Sequence, residues 1–546
     1  MQKRALISVF DKEGVAELAS FLAGADWELL STGGTAKHLA SRGLAVTEVS
    51  AVTGFPECLD GRVKTLHPAI HGGLLARRNE ASHMETLEKL GIGPIDLVCV
   101  NLYPFFEKVR AGLSPEETIE FIDIGGPSML RSAAKNYRDV IVLTDPADYG
   151  GVIAALQRGR VPEDIRKGLA AKVFALTSAY DAAVARYLLG DLPDSEPEFP
   201  SYWPRSLKRA QVLRYGENGH QRAALYHNAD APGAIGAMVQ LHGKELSYNN
   251  IRDLDLAWKA VCAFGLPADG FPPQGAGDPA VRELSAGDPE GVSVSCVAVK
   301  HNTPCGIALG RTLEEAWAKT YACDPVSVFG GVVACNASVD PGTAQKLSEL
   351  FLEILVAPDF DPPALEILRR KKNLRIIRAP RAPREGEECV SVDGGLLVQT
   401  ANRRLLEKWE VVTEAVPAPE DVPDMLFGLR AAAYVKSNAV VVVKDRTAAG
   451  IGGGETSRIR AAELALSRGA KTIADAAKAG AGDGLPPRVL ASDAFFPFPD
   501  VVEAAAAAGI KTIVQPGGSL NDKLSVEACD RLGLAMVLTG IRHFKH

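Results

Sequence analysis

Trp27-Glu28-Leu29-Leu30-Ser31-Thr32-Gly33-Gly34-Thr35-Ala36-Lys37-His38-Leu39-Ala40-Ser41 passes from an apolar, strand-like run through a double glycine into a helix-like segment. A strand that ends on hydroxyls and glycines just before a helix is the joint of an α/β unit. Its free amide hydrogens and the helix N-terminus favour an anion. A phosphate site is therefore one reading of residues 31–35, and a plain strand-to-helix turn is the other. Working outward, residues 6–9, 46–50, 97–100 and 140–143 also read as strands, with helix-like segments between them. That alternation predicts a parallel sheet with helices on its faces.

The chain has 546 residues, 47% hydrophobic and 23% charged, too many for one core, and the usual domain sizes predict about three or four folding units. No apolar run approaches the ~20 residues of a spanning helix, which argues against a membrane role. The start, Met1-Gln2-Lys3-Arg4, leads at once into a strand-like run, with no export signal. Nine cysteines, at 58, 99, 262, 296, 305, 323, 335, 389 and 529, show no paired metal-type spacing. They read as reduced thiols in a cytoplasmic protein. A formal charge of -7 argues against a nucleic-acid binder but leaves room for small anionic ligands.

Residues 147–156 and 162–189 read as helical. The Pro- and acid-rich stretch 190–200 then reads as a linker, dividing the chain into 1–199, with a core of about 1–146, and 200–546. Residues 266–291, rich in Gly, Pro, Ala and Asp, read as a surface loop or insertion, and residues 504–508 as an alanine-rich helix ended by Gly509. Two internal echoes stand out in the second region. Val299-Lys300-His301-Asn302 resembles Val435-Lys436-Ser437-Asn438, and Asp324-Pro325-Val326-Ser327-Val328-Phe329 resembles Asp493-Ala494-Phe495-Phe496-Pro497-Phe498. Together they predict two related subdomains, with the histidine kept only in the first.

Gly61-Arg62-Val63-Lys64-Thr65-Leu66-His67-Pro68 concentrates two cations, a hydroxyl and an imidazole in one loop. Asn101-Leu102-Tyr103-Pro104 leaves the strand at 97–100 at its carboxyl end, where open α/β sheets bind ligands. Asp123-Ile124-Gly125-Gly126-Pro127 introduces a helix carrying Arg131 and Lys135 on one face, and a solvated face is the plain reading of that pair. In the second region, Leu213-Arg214-Tyr215-Gly216-Glu217-Asn218-Gly219-His220-Gln221 is dense in hydrogen-bonding groups. Val299-Lys300-His301-Asn302-Thr303-Pro304-Cys305-Gly306 leaves a buried strand with an ammonium beside an imidazole, an arrangement that suits proton transfer near developing negative charge. A satisfied loop histidine is the alternative. A zinc deaminase would need His-x-Glu and Pro-Cys-x-x-Cys, but Thr303 stands in place of the acid-base Glu and Ala308 in place of the second Cys ligand, so no metal is expected.

In this order these stretches, with Ser492-Asp493-Ala494-Phe495-Phe496-Pro497-Phe498 and the tail Arg542-His543-Phe544-Lys545-His546, resemble the family that joins AICAR transformylase to inosine monophosphate (IMP) cyclohydrolase. The resemblance runs from Leu6 to His546. It implies an α/β fold in which a methylglyoxal-synthase-like parallel-sheet domain precedes a larger transformylase region of two cytidine-deaminase-like subdomains without zinc. It further implies a cytoplasmic homodimer with transformylase sites at the subunit interface. The implied co-substrate is 10-formyltetrahydrofolate and the implied ligands are AICAR, its formylated product FAICAR, IMP and folate. No metal serves the chemistry, and a structural monovalent cation has room. A methylglyoxal synthase would not explain Asp123-Ile124-Gly125-Gly126 or the second region. A transformylase fused to a nucleotide-sensing first domain is the remaining alternative.

By resemblance, Lys300 stabilises the formyl oxyanion or assists the folate leaving nitrogen, and His301 takes the proton of the attacking amine. Arg214, Tyr215, Asn250, Asn438 and Arg542 match ribotide-holding positions. Phe329, Gly330, Glu353, Ile451, Phe495, Pro497, Ser519 and Phe544 match the surrounding pocket. In the first domain Lys64, Asn101, Tyr103, Asp123 and Lys135 match the cyclohydrolase site. Ser8, Lys12, Ser31, Thr32, Gly33, Gly34, Thr35, Arg62 and Thr65 surround the ribotide and its phosphate. The chain departs from relatives at Glu353, where some carry Asp, at Val501, where some carry Asn, and in the length of 266–291.

Overall fold

The computed structural model describes residues 2–59, 62–103, 105–190, 199–229, 231–264, 294–383, 386–480 and 483–546. Gly61, Pro104, most of the expected linker and the whole expected insertion lie outside the described residues. The chain forms two compact units, Met1–Lys208 with Tyr226–Ala231, and Arg209–Leu225 with Pro232–His546.

In the first unit, β1 (Arg4–Val9), β2 (Glu28–Ser31), β3 (Thr47–Glu48), β4 (Leu97–Asn101) and β5 (Ile141–Leu143) form one sheet. Their order is β3-β2-β1-β4-β5, and every neighbour is parallel. Leu6, Ile7, Val98 and Cys99 are wholly buried, as expected of strands covered on both faces. The order reverses between β1 and β4, so the crevice at their carboxyl ends is the natural ligand site. The strand expected at 46–50 is only partly present. As an edge strand with one neighbour, β3 keeps two residues, and the helix Val49–Thr53, ended by Gly54 in the left-handed region, takes over. The helix expected at 147–156 splits into a 3-10 turn, Pro146–Asp148, and the α-helix Tyr149–Gln157.

The second unit is built on a twelve-stranded sheet of β6 (Val239–His242), β7 (Val294–Lys300), β8 (Thr303–Gly310), β9 (Val332–Cys335), β10 (Ile354–Ala357), β11 (Arg375–Arg378), β12 (Glu410–Val411), β13 (Val440–Lys444), β14 (Thr447–Gly452), β15 (Val489–Ser492), β16 (Thr512–Gln515) and β17 (Ala535–Leu538). The order is β12-β17-β16-β15-β13-β14-β8-β7-β9-β10-β11-β6. It contains the same motif twice: a hairpin, β7–β8 or β13–β14, whose first strand is followed outward by three mutually parallel strands. The two hairpins meet antiparallel at Ala308 and Thr447.

The two subdomains expected from the echoes are therefore present, but the paired segments are not equivalent. Val299-Lys300-His301-Asn302 ends a strand, whereas Val435-Lys436-Ser437-Asn438 precedes one. Likewise Asp324 stands before β9 and Asp493 follows β15. In the true register Lys300-His301-Asn302-Thr303 lies on Lys444-Asp445-Arg446-Thr447. Both pairs of central residues are left-handed, with φ 53 and 55 at His301 and Asn302, and 51 and 53 at Asp445 and Arg446. Such two-residue turns match the twist of the strands they join.

Candidate active sites

In the first unit the carboxyl ends of β1, β2 and β4 supply the groups. Thr32 is extended and Gly33 has φ 43, which lets the helix Gly33–Ala40 start abruptly beneath the hydroxyls. Ser8 and Thr32 share a 3.1 Å hydroxyl contact, and Ser31 donates to the Ile7 carbonyl at 2.6 Å. Thr35 is bonded both ways to Val9, accepting its amide at 3.1 Å and donating to its carbonyl at 2.9 Å. The Lys12 ammonium reaches the Thr35 hydroxyl at 3.1 Å. Burial lowers its pKa, against the raising pull of Asp11. The Lys64 ammonium comes over Gly33, 3.6 Å from where a Cβ would lie, and pairs with Glu57 at 2.8 Å. Ser8, Lys12, Ser31, Thr32, Thr35 and Lys64 thus gather at one helix N-terminus, an anion-favouring place.

Asn101 spends its side chain on the chain after β1. Its Oδ1 accepts the amides of Phe10 and Asp11, and its Nδ2 donates to the Asp11 carbonyl at 2.9 Å. Tyr103 is partly exposed and meets the Phe10 ring edge-on, with centroids 5.7 Å apart. Asp123 accepts the Gly126 amide at 2.8 Å, while its own amide donates to the Tyr180 hydroxyl at 2.8 Å. Burial raises the Asp123 carboxyl, and the amides of Gly126 and Tyr103 that it accepts oppose the rise. Tyr103 and Asp123 are therefore neighbours. The Thr65 hydroxyl lies 2.8 Å from where a Cβ on Gly125 would stand, which brings the loop of Lys64 to that of Asp123. Arg62 pairs with Glu120 at the surface.

Lys135 is not brought into this cluster. It ends the helix Gly125–Lys135, exposed, roughly 15 Å of helix rise from Gly125. Arg131 lies over the Phe174 ring at 5.4 Å, a packed surface cation.

In the second unit His301 faces a cavity of about 470 Å³ whose walls include Asp253, Arg252, Asn302, Lys436 and His546. Lys300 donates from its ammonium to the Phe329 carbonyl at 2.7 Å. The Arg214 guanidinium sits 5.7 Å from the Tyr215 ring. Their loop is tied to the helix Tyr248–Cys262 by Arg252 on Glu217 at 3.1 Å and by the Asn249 amide on the Glu217 carbonyl at 3.2 Å. Asn250 is used locally: with Ser247 it forms the capping box of that helix, its Oδ1 accepting the Ser247 amide at 3.1 Å.

Gly330, at φ 72, donates to the Phe351 carbonyl at 2.8 Å, and the Phe329 and Phe351 rings pack 5.4 Å apart. Glu353 is held by the buried Arg375 at 2.6 Å. Asn438 donates to the Glu455 carbonyl at 2.8 Å, and Ile451 is buried in β14. Asn521 links Pro497 and Ser519, donating to the carbonyl of one at 2.9 Å while its amide meets the hydroxyl of the other at 3.0 Å. Phe495 is half-buried one residue before Phe496, which is wholly buried.

The C-terminal tail is seated by His543. Burial lowers its pKa, and its ring nitrogens meet the Asn402 side-chain amide at 3.0 Å and the Leu405 carbonyl at 2.9 Å. The flanking Arg542 and Phe544 pack together, guanidinium to ring, at 4.5 Å.

Sequence reasoning missed Asp253 and the seating role of His543. An aspartate in an amphipathic helix carries no local signal. His543 lay in the quoted tail motif, where only its burial reveals its work. Among the described residues no group of three or more His, Cys, Asp or Glu stands in metal-holding geometry, and no helix is long and apolar enough to cross a membrane.

Comparison with known proteins matches residues 133–468 to the family described as AICARFT/IMPCHase bienzyme and residues 14–128 to the MGS-like domain. A "Bifunctional purine biosynthesis protein PurH" of Clostridium botulinum (strain Kyoto / Type A2) is 52% identical over 547 residues, covering 100% of both chains. Its namesake in Clostridium perfringens (strain SM101 / Type A) is 51% identical, also with 100% coverage of both. A solved structure titled "Crystal structure of ForH" is 40% identical over 35% of this chain and 97% of its own, with a TM-score of 0.32. On the family match and the full-length relatives together, the chain belongs to the AICARFT/IMPCHase bienzyme family and is a bifunctional enzyme of purine biosynthesis, a formyltransferase and a cyclohydrolase in one polypeptide.

Proposed function

We propose that residues 200–546 carry the formyl transfer, with His301 and Lys300 as its acid-base pair, and that residues 1–199 carry the cyclisation. The observation that carries this reading is the seat of His301 on a left-handed turn facing the polar cavity. The amine of AICAR attacks the formyl carbon of 10-formyltetrahydrofolate, and His301 takes the amine proton. The bond from formyl carbon to folate nitrogen breaks, that nitrogen is protonated, and tetrahydrofolate leaves. The Lys300 ammonium stabilises the tetrahedral oxyanion or delivers that proton. A positioned base of this kind contributes about 10² to 10⁴ in rate. Arg214, Tyr215, Asn438 and Arg542 hold the ribotide, and Phe329, Gly330, Ile451, Phe495, Pro497, Ser519 and Phe544 form the pocket walls. Asn250 and Glu353, engaged in a cap and an ion pair, act through the elements they fix.

In the first unit the phosphate of FAICAR sits at the helix N-terminus of Gly33–Ala40, with Ser8, Lys12, Gly34, Arg62 and Thr65 around the ribotide. Its carboxamide nitrogen attacks the formyl carbon, and water leaves to give IMP. Lys64, Tyr103 and Asp123 face that step, and Asn101 holds the loop of Lys12. Orientation supplies much of the barrier reduction. The protein acts as a homodimer that completes the transformylase site. Supporting this, Phe329 is 54% exposed, Phe544 42% and Leu520 wholly exposed, although the first two belong to the pocket. Nine free thiols fit a reducing cytoplasm.

The test is the absorbance change on tetrahydrofolate release from 10-formyltetrahydrofolate and AICAR. His301→Ala is expected to lose about 10² or more of the rate. Release at the wild-type rate by the variant would refute the assignment.

A further inference from the structure

His301 sits in a conformation that side-chain-bearing residues resist. It and Asn302 are successive left-handed residues, φ 53 and 55, in a turn whose usual occupants are Asn and Gly. The turn is held from below. Asp253, on the helix Tyr248–Cys262, accepts the Asn302 amide at 2.6 Å and also a backbone hydrogen bond from His301. The same clamp occurs in the second half of the sheet. Asp424, on the helix Val422–Ala432, accepts the amides of Asp445 and Arg446 at 2.9 and 2.7 Å. The repeat shows that the clamp belongs to the hairpin architecture. Only in the first half does the clamped turn carry an imidazole, and there both the aspartate and the turn line the cavity.

We propose that Asp253 is a positioning residue for formyl transfer, fixing the His301 turn so that the imidazole meets the attacking amine. The proposal rests on the reading of His301 as the base. Asp253 itself transfers no proton; it acts by holding two amides, and a misplacement of about 1 Å at a reacting group costs about 10²-fold in rate. Its counterpart Asp424 supplies an internal control, since removing it opens an equivalent turn that bears no catalytic group.

The experiment compares Asp253→Ala, Asp253→Asn, Asp424→Ala, His301→Ala and the double variant D253A/H301A in the full-length protein. The readouts are melting temperature, kcat and KM for AICAR, and the rate at which added FAICAR is cyclised. D253A and D424A are expected to lose similar stability. D253A is expected to lower formyl-transfer kcat about 10- to 100-fold, with KM for AICAR and cyclisation little changed. D424A keeps the wild-type kcat. D253N, which keeps one acceptor oxygen and secures folding if D253A fails, falls between. D253A/H301A is no slower than H301A, because a residue acting only through His301 adds nothing once it is gone.

Folded D253A or D253N with wild-type kcat would overturn the proposal, as would a D253A loss of undiminished size on the H301A background. Wild-type turnover by H301A overturns the reading of His301 itself and the proposal with it. Loss in H301A without loss in the Asp253 variants overturns the proposal alone.

Discussion

Burial pushes the Asp424 carboxyl up to about 6, while the Arg446 and Asp445 amides that it accepts pull the other way. In the unfolded chain an aspartate titrates near ~3.9. Between those values the folded protein holds a proton that the unfolded one has released. Stability from this group is therefore greatest at low pH, falls as pH rises through the window from about 4 to about 6, and is level above it. Asp424→Asn, which does not titrate, removes that slope. Urea midpoints measured from pH 4 to pH 8 are expected to show the wild type losing ground to D424N across the window. A constant difference would contradict the assignment. Single residues stood out in the sequence where a motif concentrates polar groups, as at Lys64, Asp123 and His301, and the structure sets Lys64 over Gly33, Asp123 on the Gly126 amide and His301 on a cavity. They were not legible where the work is burial, as with Asp253, Asp424 and His543, because nothing near them in the chain reports what packs on them.

At the scale of elements, the hairpins explain why the repeat was recognised and misregistered. Lys300-His301-Asn302-Thr303-Pro304-Cys305-Gly306-Ile307 and Lys444-Asp445-Arg446-Thr447-Ala448-Ala449-Gly450-Ile451 share Lys, Thr, Gly and Ile at the same spacing. The signal is in the sequence, but the second Val-Lys-x-Asn, at 435–438, resembles the first more closely although it precedes a strand instead of ending one. The shared glycine has a physical cause. A Cβ on Gly450 would overlap the Ala465 carbonyl of the helix Arg458–Lys478, and one on Gly306 would overlap the Thr320 carbonyl of the helix Leu313–Cys323. Strand and helix backbones come into direct contact there. Gly450→Ala is expected to cost about 1 to 3 kcal/mol, read as a lower urea midpoint with an unchanged slope. Unaltered stability would mean that the contact is looser than its geometry. The parallel sheet of the first unit was legible for the opposite reason. Its central strands are continuous apolar runs, whereas the edge strand β3 shortened because one neighbour supports little ladder.

At the scale of the molecule, the sheet orders place the two candidate sites. In the first unit the reversal between β1 and β4 opens the crevice that collects Lys12, Asn101 and Tyr103. In the second, duplication of a hairpin unit gives two like turns, of which the one carrying His301 lines the cavity. The exposed aromatic groups around the second site predict association. Sedimentation at micromolar concentration is expected to give twice the 57.9 kDa of one chain. A monomer with full transformylase activity would contradict a shared site. Association has no signal in the spacing of one chain, because no spacing encodes which exposed apolar groups would meet a second copy.

The most direct test of two independent sites in one chain is complementation. His301→Ala and Asp123→Ala are assayed separately and mixed, with AICAR and 10-formyltetrahydrofolate supplied and FAICAR and IMP separated by chromatography. The account predicts that H301A forms both products from AICAR at least about 10²-fold more slowly but converts added FAICAR to IMP, that D123A accumulates FAICAR, and that the mixture makes IMP from AICAR faster than H301A alone. Failure of H301A to cyclise added FAICAR, or rapid IMP formation by D123A alone, would contradict it.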